Sequence, residues 1–539
     1  LDGLPLAIDL AAAHVKVLPL PALLQRLERR LPLLTGGARD VEARQQTMRA
    51  TLAWSEELLQ PEERRLFWRL AVFVGSFTLE AAEAVCTEHT GVEPLGMDTL
   101  EGLERLVDQS LVLQQAVGQD GVGEAGEEGS GEARFRLLFV IREYALERLE
   151  GSAGGARGQA GQEAGALRRA HAVYYLGLAE ERALAMVQPE GATWLKRLER
   201  EHDNFRAALA WARERGEVEL GLRLAGSLGP FWDVRGYRTE GRRWVDGLLA
   251  LAPLAAGDNP GERAGAGDDG EEATPGVAGV SAAARAKALV AASNFAWRHR
   301  DDQQALAAAE EALELARGQQ VGWAAGVALN MLGVIAWDRG DLEQATVYLE
   351  ESVARLRAAG EPGLAAAYRT TVGAIALDRG DPERATACCE ESLAFARRTG
   401  ADYAAGFALA GLADVARWRG DLTAAEVLGR EEFQVWRRLG VSGYLAWGLE
   451  NLALTAAAAG DVARAERAAR LLGTAASLRE RVGAPLRRRH WQAHVEHGAA
   501  QARAALGEER WVAAFAAGRA LSLEEAIAEA QGKDKGAAD

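Results

Sequence analysis

Three histidines share one short stretch of this chain, His490, His494 and His497 in HWQAHVEH. On a helix they occupy i, i+4 and i+7, within an arc of ~60°. The first pair has a spacing that can share a metal ion. The third lies ~10 Å along the axis from the first, too far for one ion to take all three. The stripe therefore reads as solvated or partner-facing, the adjoining Arg487-Arg488-Arg489 as surface charge, and no metal site is expected. Cys388 and Cys389 read as small core residues of a helix rather than a redox pair. The segment holding Phe231, Trp232, Arg235, Tyr237, Arg242, Arg243 and Trp244 mixes aromatic rings with forked donors. That mixture suits an anionic or aromatic effector, although plain helix packing uses the same residue types. No GxxxxGK[ST] occurs, and Gly532-Lys533 is followed by Asp534. These residues therefore carry no phosphate cradle with its Mg-holding hydroxyl, and no catalytic residues are expected.

The elements that position these residues are mostly helices. At 539 residues, with 48% hydrophobic and 26% charged, the composition is that of a globular protein. Lys plus Arg number 62 against 78 Asp plus Glu, a formal charge of −16. Such a chain is a poor partner for nucleic acid or an anionic membrane, both of which need compensating cations. Three cysteines exclude a disulfide framework and fit a reducing, cytoplasmic setting. No apolar run reaches the ~18–20 residues that span a bilayer. The first residues, Leu1-Asp2-Gly3-Leu4-Pro5, contain neither an initiator Met nor a basic leader, and the expectation is a chain truncated at its N-terminus. Three Gly- and Glu- or Ala-rich stretches are expected to be disordered: an insert at 117–132, a linker at 151–166, and an acidic loop within 251–284.

A repeat organises the second half. Gly-Asp recurs as Gly340-Asp341, Gly380-Asp381, Gly420-Asp421 and Gly460-Asp461, a spacing of 40, with a degenerate copy in AWRHRDDQQA. Gly360, Gly400 and Gly440 recur in the same phase. Each Gly suits the left-handed position that ends a helix, and each Asp can cap the next one. Pro382 then falls at a first helical position, where its missing N–H costs nothing. The unit is thus a helical hairpin, and such hairpins must stack to bury their apolar faces. The pattern resembles tetratricopeptide-like repeats over 285–480, preceded by diverged copies at 167–250 and followed by capping helices at 481–530 and a tail at 531–539. The first helices of an α-solenoid line its concave groove. Trp232, Arg235, Tyr237, Arg243, Asn294, Trp297, Asn330, Trp337 and Arg369 are the candidate groove residues for an inducer or protein partner. Trp297 and Trp337 stand at equivalent positions and have core packing as the alternative reading.

The front of the chain carries a second resemblance. Gly3-Leu4-Pro5-Leu6-Ala7, followed by IDLAAAHV, resembles the GLPLA motif of NB-ARC-type ATPases of the STAND class. TMRATLAWSEELLQPEERRLFWRLAVFVGSFTLEAAE (47–83) resembles the start of the winged-helix domain that follows in bacterial members. HAVYYLGLAE, WLKRLEREHDNFRAALAWA, GYRTEGRRWVDGLL and GEERWVAAFAAGRALSLEEAIAEA resemble bacterial regulators of the same group, some of which end in a LuxR-type helix-turn-helix. The resemblance implies the end of a helical lid at 1–40 and a winged helix at 41–150, with helices near 48–59, 61–72, 78–86, 98–108 and 140–150. Leu111–Leu113 and Phe135–Leu138 would form the wing. Pro5 would touch the base of a nucleotide and Gly3 would allow close approach. Leu137-Leu138-Phe139 stands where many members carry an MHD-type triplet, so the His that contacts the β-phosphate is absent. No cofactor is expected in this chain; ATP or ADP with Mg would belong to a longer parent, which could also oligomerise. The expected recognition helix, DTLEGLERLVDQ (98–109), is acidic, so direct DNA contact is not expected. The resulting expectation is the sensor and regulatory portion of a STAND-class regulator of transcription. The alternative is a protein-interaction scaffold without nucleotide-dependent activity.

Overall fold

A computed structural model describes the chain except residues 1–2, 17, 28–29, 35–46, 88–91, 116–132, 152–156, 182–189, 253–279, 319–320, 484–488 and 532–539. It divides into two compact units, Leu1–Leu178 with Glu199–Gly216, and Ala179–Leu198 with Glu217–Asp539. The insert expected at 117–132, most of the acidic loop and nearly all of the tail lie outside the described residues.

In the first unit, α1 (Pro5–Ala13) starts on Pro5 at its first position. The short helices α2 (Leu20–Arg26) and α3 (Arg30–Leu33) follow. Next, α4 (Met48–Glu57) is capped by Thr47, whose hydroxyl accepts from the Ala50 N–H at 3.1 Å. Helix α5 (Pro61–Arg69) is closed by Glu63, which accepts from the Gln60 N–H at 2.9 Å. Strand β1 (Ser76–Thr78), helices α6 (Leu79–Cys86) and α7 (Thr99–Asp108), and strands β2 (Leu113–Gln115) and β3 (Arg134–Arg136) come next. The strands form an antiparallel sheet in the order β1-β3-β2. Strands β2 and β3 pair with Gln114 opposite Phe135, and so overlap the expected segments Leu111–Leu113 and Phe135–Leu138 only in part. The third strand, β1, is only three residues long and offers no alternation to read; it sets Phe77 opposite Phe135.

Helix α8 (Phe139–Leu149) supplies Tyr144 and Arg148, which donate with the Trp68 indole to the buried Glu56 carboxylate. The linker expected over 151–166 is corrected from Arg157 onward, and 152–156 lie outside the described residues. Helix α9 (Arg157–Glu181) already begins at Arg157, and Ala164 and Leu167 are buried. Glu163 of this stretch holds the fully buried Arg69 guanidinium at 2.8 Å. After α10 (Gly191–Arg200), helix α11 (His202–Arg215) ties down the sheet. Asn204 donates to the Ser76 carbonyl at 2.9 Å and accepts from the Val74 N–H at 2.8 Å. Glu201 pairs with the buried Arg134 at 2.6 Å.

The second unit is an α-solenoid of helical hairpins. Its first helices are α12 (Val218–Arg235), α14 (Ala282–Arg298), α16 (Gly322–Asp338), α18 (Pro362–Asp378), α20 (Asp402–Trp418) and α22 (Ser442–Ala458). They alternate with α13 (Arg238–Leu249), α15 (Asp302–Gly318), α17 (Leu342–Ala358), α19 (Pro382–Thr399), α21 (Leu422–Leu439) and α23 (Val462–Arg481). Helices α24 (Arg489–Leu506), α25 (Glu508–Arg519) and α26 (Leu523–Gln531) close the end. Helix α14 begins at Ala282 on a Ser281 cap, so the last residues of the loop expected over 251–284 are helical.

The repeat works as its spacing implies. Gly340, Gly380, Gly420 and Gly460 have φ of 85°, 78°, 81° and 73°. Asp341, Asp381, Asp421 and Asp461 each accept from the N–H three residues on, at 2.8–3.0 Å. Ser293, Ser352 and Ser392 are buried on second-to-first helix seams and donate to the carbonyls of Ala305, Gly326 and Ala366. Outside, Arg317, Arg357 and Arg397 each reach a glutamate 34 residues on, Glu351, Glu391 and Glu431. Exposed pairs of this kind contribute ~0–1 kcal/mol each and mainly keep neighbouring hairpins in register. The unit also meets itself. Arg235, at the end of α12, donates to the Gly440 carbonyl between α21 and α22, 205 residues later, at 3.0 Å.

Candidate functional site

The first helices of the array surround a cavity of about 150 Å³. Six helices supply its wall. Gly226, Gly229 and Pro230 of α12 make one side low, so that Ala291 of α14 approaches closely. Val290, Asn294, Trp297 and Arg298 come from α14, and Trp323, Val327, Asn330, Met331 and Val334 from α16. Tyr368 and Thr371 of α18, Tyr403 and Phe407 of α20, and Tyr444 of α22 complete the circuit. The wall is largely apolar and aromatic with a few polar groups, the usual character of a small-molecule site.

The polar groups cluster at one end. Asp233 is buried and accepts from Arg238 at 2.7 Å and from Arg298 at 3.0 Å. Burial alone would raise its carboxyl; the two guanidinium charges overcome this and hold it well below the usual carboxylate range. The Arg298 guanidinium also lies 5.0 Å over the Trp297 ring. Tyr403 and Tyr444 share a hydroxyl contact at 3.1 Å, and burial raises the Tyr403 phenol well above its ordinary value. Two buried wall atoms have no hydrogen-bond partner, Arg298 Nε and Asn330 Oδ1. Asn330 is 8% exposed.

The residues expected in the groove divide. Asn294, Trp297 and Asn330 meet at the cavity. Trp337 does not line it; its indole donates to Asp378 at 2.8 Å, as Trp297 donates to Asp338 at 2.8 Å. The equivalent tryptophans thus form a ladder that ties successive first helices together, and only the first rung also faces the cavity. Trp232 is fully buried against Phe295. Arg235 serves the contact with Gly440, Tyr237 lies beside Phe231, and Arg243 is exposed. Arg369 bridges Glu350 and Glu391 instead of entering the groove. Sequence reasoning missed Asp233, Arg298, Trp323, Tyr368, Tyr403 and Tyr444. A signal was present for part of this set: Trp323, Tyr403 and Tyr444 each fall in the first turn of a first helix.

Other candidates lie elsewhere. Gly3 has a φ of 73° with open space about it, and Pro5 is exposed. These two residues alone form no phosphate site. Leu137 and Leu138 are buried and Phe139 is exposed. Cys388 and Cys389 are buried, and burial pushes the Cys389 thiol up to about 12. His494 and His497 are exposed on α24, whereas the His490 side chain, Arg487 and Arg488 lie outside the described residues. Among the described residues no group of three His, Cys, Asp or Glu could hold a metal, and no helix is long and apolar enough to cross a membrane.

Fold and cavity together define an α-solenoid of tetratricopeptide-like hairpins with a ligand-sized cavity on its inner helices. No family model matches the chain. Over 249 residues it is 38% identical to a candidate HTH-type transcriptional regulator of Mycobacterium tuberculosis, covering 46% of this chain and 25% of that protein. The Mycobacterium bovis counterpart gives the same figures. An uncharacterised protein of Mycobacterium tuberculosis is 40% identical over 152 residues, 28% of this chain and 35% of that one. The chain thus spans between a quarter and about a third of the length of the curated relatives it matches. Among solved structures, a Signal Transduction ATPase with Numerous Domains (STAND) protein with a tetratricopeptide repeat sensor from Pyrococcus horikoshii aligns over 92% of this chain and 72% of that chain, at 12% identity and a TM-score of 0.45.

Proposed function

We propose that this chain is the sensor and regulatory portion of a STAND-class signalling ATPase that controls transcription, and that its repeat array binds an inducer. The observation that carries the reading is the cavity: an aromatic-walled space on the inner helices of the array, with a buried donor and a buried acceptor left unmet in its wall. Similarity to mycobacterial regulators over 249 residues supports the transcriptional context. In this reading the nucleotide switch, with ATP or ADP and Mg, and the DNA-binding output belong to a longer parent, which can oligomerise. The chain itself acts by differential affinity. An inducer that binds one arrangement of the hairpins more tightly than another shifts the population toward it, and only by that difference. Helix α7 is not the DNA reader in this scheme, because its single basic side chain, Arg105, is engaged by Glu63 and Glu101. Gly3 and Pro5 would form the edge of the nucleotide site contributed by this chain.

The test is the coding sequence that adjoins Leu1 and Asp539. An in-frame P-loop upstream is the expected result, and a helix-turn-helix downstream would assign the output. A stop codon shortly upstream with a start near Leu1 would refute the switch and leave a binding scaffold.

A further inference from the structure

If the array is the sensor proposed above, its cavity also constrains what it binds. Size comes first. A volume of about 150 Å³ equals that of an engineered protein cavity that takes up benzene. It accommodates one ring with small substituents.

Polarity comes second. A polyol of this size would bury several hydroxyls, each costing ~1–3 kcal/mol if left without a partner. The wall offers few polar groups outside the Asp233 end and is otherwise built from Trp, Tyr, Phe, Val, Met and Leu. An aromatic ring can stack edge or face on Trp297, Trp323, Tyr403 and Phe407 without any such cost.

Charge and unmet atoms come third. At the polar end two guanidinium groups, Arg238 and Arg298, share one carboxylate, Asp233, which leaves one positive charge in excess. Arg298 Nε is a buried donor without an acceptor, and Asn330 Oδ1 is a buried acceptor without a donor. Arg298 belongs to α14 and Asn330 to α16, neighbouring first helices on the cavity wall. A ligand that supplies an anionic oxygen to the first and an O–H or N–H to the second removes both deficits at once.

We infer that the cavity is a site for a single-ring aromatic carboxylate that carries a hydroxyl or amino group, its carboxylate on Arg298, its ring among the aromatic wall residues and its donor on Asn330. The inducer of the array then belongs to the hydroxy- or aminobenzoate class. Charge selects the acid, and the asparagine carbonyl selects among acids.

Isothermal titration of the full chain with 4-hydroxybenzoate, benzoate and 4-hydroxybenzyl alcohol tests this. The expected order is 4-hydroxybenzoate tightest, benzoate weaker by ~10-fold, and the neutral alcohol weakest. Asn330→Leu should weaken 4-hydroxybenzoate ~10-fold, leave benzoate unchanged, and leave thermal stability equal or higher, because a buried unmet acceptor is removed. A merely structural Asn330 would instead lose stability without changing the ratio of the two acids. Arg298→Gln should weaken both acids and leave the alcohol unaffected. Preference for the alcohol, or no heat from either acid up to about 5 mM, overturns the inference. In that case the coding sequence upstream of Leu1 separates the two readings. An in-frame P-loop keeps the sensor and discards the aromatic acid, and a start near Leu1 removes both.

Discussion

Glu432 illustrates how much a single side chain can carry in this array. Its carboxyl is fully buried, accepts from the Trp436 indole at 3.0 Å and from Asn451 at 2.9 Å, and is pushed up to about 8 by burial, which these two donors only partly offset. An acid whose folded pKa lies above its ordinary 4.5 binds its proton more tightly folded than unfolded. Its contribution is therefore complete below pH 4.5 and is lost as the pH rises through about 8. Glu432→Gln, which keeps the acceptor and removes the charge, should raise the melting temperature at pH 9 and change it little at pH 5. Equal effects at both pH values would contradict this.

His171 has the opposite sign. Burial lowers it to about 4, so its contribution is present above its ordinary 6.5 and is lost as the pH falls through about 4. The Arg134–Glu201 pair is the third residue-scale test, since both partners are nearly inaccessible. Arg134→Met alone leaves Glu201 charged and buried, at a cost of ~3–5 kcal/mol; adding Glu201→Gln should recover much of that. Denaturant unfolding of the two variants decides the matter, and a double variant no more stable than the single one would show that the pair is not the source of the loss.

At the scale of the element, caps and close approaches matter most. Asp381 caps α19, and Asp381→Ala should cost ~1 kcal/mol by removing its acceptor from the Arg384 N–H. Glycine plays a different part where α23 meets α25. A Cβ on Gly518 would stand 2.0 Å from the Arg470 carbonyl oxygen, backbone that cannot step aside. Gly518→Ala should thus detach the closing helices, seen as faster amide exchange in α25 with the inner hairpins unchanged; unchanged exchange in α25 would contradict that role.

Elements are also where the sequence was most legible. Gly-Asp pairs at a spacing of 40 disclosed caps and hairpins because turn chemistry is local. The cavity was only partly legible, because each helix contributes one or two residues and their meeting depends on how the hairpins stack. Arg369 shows the difficulty. It follows Tyr368, which lines the cavity, but one residue is ~100° of helix rotation, enough to place the guanidinium among Glu350 and Glu391. Trp337 repeats Trp297 in sequence, yet it does not line the cavity, whereas Val334, the equivalent of Asn294, does. Expectation failed differently at 157–166, where a Gly- and Ala-rich composition concealed a helix whose Glu163 holds the buried Arg69.

At the scale of the whole molecule, net charge sets partners. With −16 on the chain and the basic side chain of α7 engaged, duplex DNA should leave its electrophoretic mobility unchanged at ~150 mM salt. A shift that falls steeply with added salt would show a cationic surface that these charges do not account for.

The contact between Arg235 and Gly440 has a consequence for descent. Open solenoids tolerate gain or loss of a unit, because each hairpin touches only its neighbours. Here the end of α12 must find the turn before α22, so the number of intervening hairpins is counted by the fold. Unequal recombination between these repeats of equal length would delete or insert 40 residues in frame and still give well-capped hairpins. It would nevertheless move Gly440 away from Arg235 and take Tyr403 and Tyr444 out of the cavity wall. Lineages of this array should therefore diverge by substitution at constant copy number.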